Sequence, residues 1–268
     1  MWNTLRESLN AVPGNLQIQY AHFDCESAAV QTFREFFPEV RAKMCLFHIK
    51  QCINRKLQAL GLSTTYRESG KLEKIVRQLG ALSLLPQYYV TPAFRLLRRN
   101  LPTDDLENDW MPGVCQKIIE LFDYYSNEWI DNPLGLDFVN LYDMTEGPRT
   151  TNHAEAYHSA QRHYWRSPHM PLGEWLATFQ NVHHAEETRI RDVLLLRIEP
   201  RPRHPTAIVN DEKLQEARRR LEDVLESGTS VEEFWEFVEK YLTRVGAVIG
   251  YNVQRDQDTS EELLTTQS

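Results

Sequence analysis

Three groups of side chains in this sequence are of types that handle phosphate, protons or metal ions. Asp24 follows the run LQIQYAHF at residues 16–23 and precedes a segment that sets Ala29, Phe33, Phe36 and Phe37 on one helix face. A carboxylate at the carboxyl end of a strand lies where α/β sheets bind ligands and metals. Aspartate is equally a favoured helix N-cap, a role that stabilises a helix by about 1 kcal/mol, and position alone favours the cap. Cys45-Leu46-Phe47-His48 closes a second extended run, and Cys52 follows. Cys and His at this spacing bind zinc in many proteins, and Cys52 shares their helix face if the helix starts early enough. No fourth ligand stands near, so a buried thiol beside a hydrogen-bonded imidazole ranks above a zinc site. The densest polar cluster is RTTNHAEAYH, from Arg149 to His158. On a helix, Asn152, Glu155 and His158 fall at i, i+3 and i+6 and face one way, which suits a metal or acid–base site. A plain helix start capped by Thr or Asn uses the same residues.

The elements that must position these groups follow from apolar spacing. Residues 1–11 predict a short helix with Trp2, Leu5 and Leu9 near helical spacing. Residues 16–23 and 40–47 predict strands, separated by a helix that Pro38 stops. A helix with Ile49, Ile53, Leu57 and Leu60 inward follows and closes at Gly61. Strand–helix–strand–helix in so short a stretch implies a parallel strand pair. From about 68 to 130 the pattern is helical throughout. Leu72, Ile75, Val76 and Leu79 form one stripe; Val114, Ile118, Leu121, Phe122, Tyr125 and Trp129 form another. A brief extended piece at 138–142 and a helix at 152–164 come next, then a long helix from Leu172 to about Leu196. EPRPRHPT at 199–206 reads as a linker, 207–250 as a helical pair, and 251–268 as a polar, disordered tail. The fold class expected is α/β, mostly helical.

Composition bounds the function. The hydrophobic fraction of 41% and aromatic fraction of 10% are those of a globular protein. No apolar run approaches the roughly 20 residues that cross a bilayer, and the start lacks the apolar stretch of a secretory signal. A nuclear or cytoplasmic protein is expected, neither secreted nor membrane-spanning. Four cysteines are too few for a disulfide framework. A net charge of −8 argues against indiscriminate coating of nucleic acid. Basic residues nevertheless cluster: Arg41, Lys43, Lys50, Arg55 and Lys56; then Arg95, Arg98 and Arg99; then Arg197, Arg201 and Arg203. Each cluster alone reads as a solvated helix face.

The order of these blocks is more informative than any one of them. Asp24 after a strand, Phe37-Pro38, Cys45-x-x-His48, Gln51, Arg55-Lys56, Gly61-Leu62 and Tyr66, then RTTNHAEAYHSAQ from Arg149, resemble the Mutator-like (MULE) transposase family across residues 1–195. The resemblance implies part of an RNase H-like core at 1–66, an all-α insertion at 67–136, and a return to the core at 137–198, with 207–250 as a helical extension. It implies Asp24 and Glu155 as the second and third acids of a DDE triad that binds Mg²⁺ or Mn²⁺. Cys45, His48, Asn152 and His158 would support that site. Lys50, Arg55, Lys56 and Arg149 would hold the DNA backbone. Two such ions about 4 Å apart activate the nucleophile and stabilise the leaving oxygen of a phosphodiester. The family's first acid has no counterpart before Asp24, where the only carboxylate is Glu7 in the first helix. Thr151 and Ala156-Tyr157 also depart from the family pattern. The expectation is therefore an incomplete RNase H-like core, inactive alone, whose missing strands come from an upstream polypeptide or a second copy. A DNA- or protein-binding module without chemistry is the alternative.

Overall fold

The computed structural model describes residues 2–10, 18–24, 26–144, 149, 159, 164–165, 169–195, 197–198 and 204–250. The chain forms two compact units, one of residues 1–149 with 210–268, the other of residues 150–209.

The first unit opens with α1 (Trp2–Asn10), β1 (Tyr20–Phe23), α2 (Ser27–Phe36), β2 (Arg41–Met44) and α3 (Leu46–Ala59). β1 and β2 pair in parallel with Tyr20 opposite Arg41 and Phe23 opposite Met44, giving a two-stranded sheet among the described residues. Val30 and Phe33 of α2 are buried with Phe37, and Trp2 of α1 meets the Phe33 and Phe37 rings edge-on at 5.4 and 6.4 Å. α2 ends before Pro38, because the residue preceding a proline is driven out of helical backbone angles. The second strand is shorter than the expected 40–47. Cys45 is already the extended cap of α3, and Leu46, Ile49, Ile53 and Leu57 make one buried stripe from the helix's first residue.

The helical expectation from 68 to 130 is met in large part by α4 (Ser63–Glu68), α5 (Gly70–Ala81), α6 (Gln87–Arg99) and α7 (Val114–Tyr125), the last running on into a wider turn at Ser126–Ile130, but residues 100–113 are irregular apart from a single turn at Leu106–Asn108. Residues 138–142 do not form the extended piece expected. Leu136–Val139 make a helical turn, α8, and Asn140 leaves it extended. Long-range bonds decide this: Asn140 Nδ2 donates to the Leu85 carbonyl at 2.7 Å and Leu141 N–H to the Ser83 carbonyl at 2.7 Å. α3 packs on α5 and α7, so residues 1–66 and 67–136 share one core.

In the second unit, α9 (Leu172–Leu194) stacks Trp175 on Phe179 at 5.4 Å and Phe179 on His183 at 6.2 Å. The expected helix at 152–164 lies outside the described residues except for Ser159, which is helical, and Tyr164, which is in a turn; the first part of the linker (199–203) and the tail (251–268) lie outside them too. α10 (Pro205–Glu226) and α11 (Val231–Ile249) are the expected helical pair. Residues 210–250 belong to the first unit. Val238, Tyr241, Leu242 and Val245 of α11 are buried, and α11 packs along α5. Gln78 donates to Thr243 Oγ1 at 2.9 Å and Lys74 pairs with Glu239 at 2.9 Å. At the crossing stands Gly246, where a Cβ would come 2.7 Å from the Arg77 carbonyl oxygen. No helix among the described residues is long and apolar enough to cross a membrane.

Candidate functional site

The ends of the two strands build the site. Cys45 N–H donates to the Phe23 carbonyl at 2.9 Å, so the chain leaves β2 level with the last residue of β1. Cys45 is buried and opens α3. His48 then stands in the first turn of α3 beside Asp24, with Nδ1 3.0 Å from Oδ1. The approach is close but off the N–H direction, since Nδ1 makes no aligned hydrogen bond. It is an electrostatic contact between a largely buried imidazole and an exposed carboxylate. Asp24 makes no capping bond to α2, whose cap position is Glu26. The reading of Asp24 as a helix cap therefore does not describe it.

Arg149, the first residue of the second polar block, lies beside the start of α3. Leu46 N–H, at the start of α3, donates to the Arg149 carbonyl at 2.9 Å. The Arg149 side chain turns into the fold, pairing with Asp211 at 3.0 Å and donating to the Met144 carbonyl at 3.3 Å. Lys50 Nζ donates to the Ile249 carbonyl at 2.7 Å and so caps α11. Lys56 lies over the Tyr124 ring at 5.4 Å, and Arg55 is exposed. Of the four residues expected to hold a DNA backbone, Arg55 is the one that stands open to solvent. Glu155, Asn152 and His158 lie outside the described residues.

No disulfide joins Cys45, Cys52 and Cys115 to one another. Among the described residues no group of three or more His, Cys, Asp and Glu side chains comes close enough to hold a metal ion. Cys45, His48 and Cys52 are not gathered into such a group. For Mg²⁺ or Mn²⁺, Asp24 offers one exposed carboxylate, well short of the roughly six oxygens a hard dication takes.

Two arrangements were not foreseen from the sequence. Lys43 of β2, counted there in a basic cluster, is fully buried, with Nζ 2.9 Å from Asp137 Oδ1, 3.0 Å from the Asp137 carbonyl and 3.5 Å from Asp143 Oδ2. Arg41 also reaches Asp143 at 2.9 Å. The available signal was the alternation Arg41, Lys43 on one strand face, with Asp137 and Asp143 set in the apolar run 134–144. The second is a cleft of about 350 Å³ lined by Tyr142, Arg149, Arg218, Glu222 and Tyr241 among others. Arg218 stacks on Tyr142 at 4.3 Å, donates to Glu222 at 2.8 Å and to the Tyr142 carbonyl at 2.9 Å, while Tyr142 OH donates to Glu222 at 3.0 Å. Burial first, then the bond to Glu222, pushes the Tyr142 phenol up to about 12. The hydrogen bond from Arg218 holds the Glu222 carboxyl below its ordinary range. The network closes on itself and fastens α10 to the loop after α8. Comparison with protein-family models, with curated proteins and with solved structures finds no match.

Proposed function

We propose that this chain is a DNA-handling protein of the Mutator-like transposase kind, built on part of an RNase H-like DDE core. In this reading Asp24 and Glu155 are two of the acids that hold divalent metal. The observation that carries the reading is Asp24 itself. It is an exposed carboxylate at the carboxyl end of a parallel strand pair, 3.0 Å from the histidine of a Cys-x-x-His segment. The bond from Leu46 to the Arg149 carbonyl adds support, since it holds Arg149, six residues before Glu155 in sequence, at the start of α3. Bound Mg²⁺ or Mn²⁺ would activate the attacking oxygen and stabilise the leaving one. The chain's own part is positional: β1 aims Asp24, His48 restrains its carboxylate, and Arg55 meets the phosphate backbone. Two acids are fewer than this chemistry uses, so cleavage by this chain alone is expected to be weak or absent.

The test is Mn²⁺ titration followed by paramagnetic broadening of backbone amide resonances. Broadening centred on both Asp24 and Glu155, lost in Asp24→Asn and in Glu155→Gln, is the expected result. Broadening at one of them without the other rejects the shared site, as does none at millimolar Mn²⁺. A non-catalytic DNA- or protein-binding module is the second reading. Salt-sensitive DNA binding that survives both substitutions would select it.

A further inference from the structure

The cleft beside α10 has walls from the turn after α5, the loop after α8, α10 and α11. Leu84, Leu141 and Met144 are buried and Leu214 packs against the core, so the apolar walls stand fixed before anything binds. Tyr241, also buried, fastens two of those walls by donating its hydroxyl to the Leu84 carbonyl at 2.5 Å. The volume of about 350 Å³ falls within the roughly 300–1,000 Å³ of small-molecule pockets.

The polar groups of the cleft divide into those already matched and those left over. Arg149 pairs with Asp211 at 3.0 Å, Arg218 with Glu222 at 2.8 Å and Arg219 with Glu216 at 2.9 Å. An ionic ligand would have to break one of these pairs. The Tyr142 and Tyr241 hydroxyls are spent on Glu222 and on the Leu84 carbonyl. Arg218 uses Nε and Nη1, while its Nη2 and the amide of exposed Gln215 make no hydrogen bond among the described residues. N–H donors beside an amide suit an uncharged carboxamide, which both accepts and donates. Tyr142 and Arg218, stacked at 4.3 Å, add a flat wall of the kind on which aromatic rings lie.

We propose that this cleft binds a small uncharged aromatic molecule that carries an amide. Its ring lies between the apolar walls and the Tyr142–Arg218 stack, and its amide meets Arg218 and Gln215. The site is separate from the metal chemistry proposed for Asp24 and does not depend on it. A carboxylate in this place meets Glu222, and a cation meets three arginines. Water alone leaves the four apolar side chains facing solvent. One or two rings fit, since a dry cavity of roughly 150 Å³ already admits benzene.

The test is amide-shift titration of the full chain with benzamide, cyclohexanecarboxamide and benzoate. Benzamide is expected to shift Leu141, Tyr142, Leu214, Gln215 and Arg218, with a dissociation constant on the order of 1 mM. Cyclohexanecarboxamide keeps the amide but loses the flat ring, and is expected to bind about two- to five-fold more weakly. Benzoate keeps the ring but adds charge, and is expected to bind more weakly than benzamide. Leu214→Trp fills the cleft and should abolish the shifts. Gln215→Ala should weaken benzamide about two- to ten-fold, and because Gln215 is exposed its thermal melt should match that of the parent. Benzoate binding more tightly than benzamide would overturn the proposal and point to an anion site. Equal affinity for the cyclohexane compound would overturn it too, as would unchanged affinity in Gln215→Ala, shifts confined to another face, or no shifts at the solubility limit of benzamide.

Discussion

Asp24 owes its setting to Cys45 as much as to its own strand, because the Cys45–Phe23 bond fixes where α3 begins and so where His48 stands. That much was legible in the order of residues: an acid after one strand and Cys-x-x-His after the next. Lys43 was not, because a lysine in a strand reads as solvated until its partners arrive from 94 positions away. Its burial makes the cost of substitution asymmetric. Asp137→Ala strips an acid from a buried ammonium and is expected to destabilise by about 2 kcal/mol. Lys43→Met leaves Asp137 half exposed to water and Asp143 paired with Arg41, and should cost under about 1 kcal/mol. Urea denaturation measures both, and equal losses would mean that the pair carries no such imbalance. The cap reading of Asp24 erred because Cys25 and Glu26 intervene before α2 starts.

Helices were easier to read than strands. A stripe at 3.6-residue spacing persists over three turns, whereas the two four-residue strands end where tertiary hydrogen bonds and the cap of α3 end them. The same limit explains α8, whose conformation is set by contacts with the chain around Ser83 and Leu85. The α5–α11 crossing was likewise invisible, since no local pattern says which helix a stripe will meet. Gly246→Ala is the test of that crossing. The added methyl meets Arg77 backbone, so a loss of about 1–3 kcal/mol is expected despite alanine's better helix propensity. At the other end of α11, Ser230→Ala removes the capping box and should cost about 1 kcal/mol. A Gly246→Ala protein as stable as its parent would mean that the helices do not approach this closely.

Across the first unit, four phenols are held neutral by burial. Tyr66 and Tyr142 are pushed up to about 12, chiefly by loss of water, and Tyr125 and Tyr241 are raised further by the same cause. A phenol whose pKa is raised in the folded state contributes its full stability below its unfolded value near 10 and loses it as pH climbs toward 12. Alkaline unfolding is therefore expected between about pH 10 and 12, with tyrosinate absorbance rising in step with the loss of helical circular dichroism. Tyrosinate that appears while the helical signal stays intact would contradict this. The packing of α11 on α5 has a consequence in time as well. During synthesis α5 leaves the ribosome roughly ten to thirty seconds before α11. Through that interval the face of α5 that carries Lys74, Arg77 and Gln78 lacks the helix that packs on it.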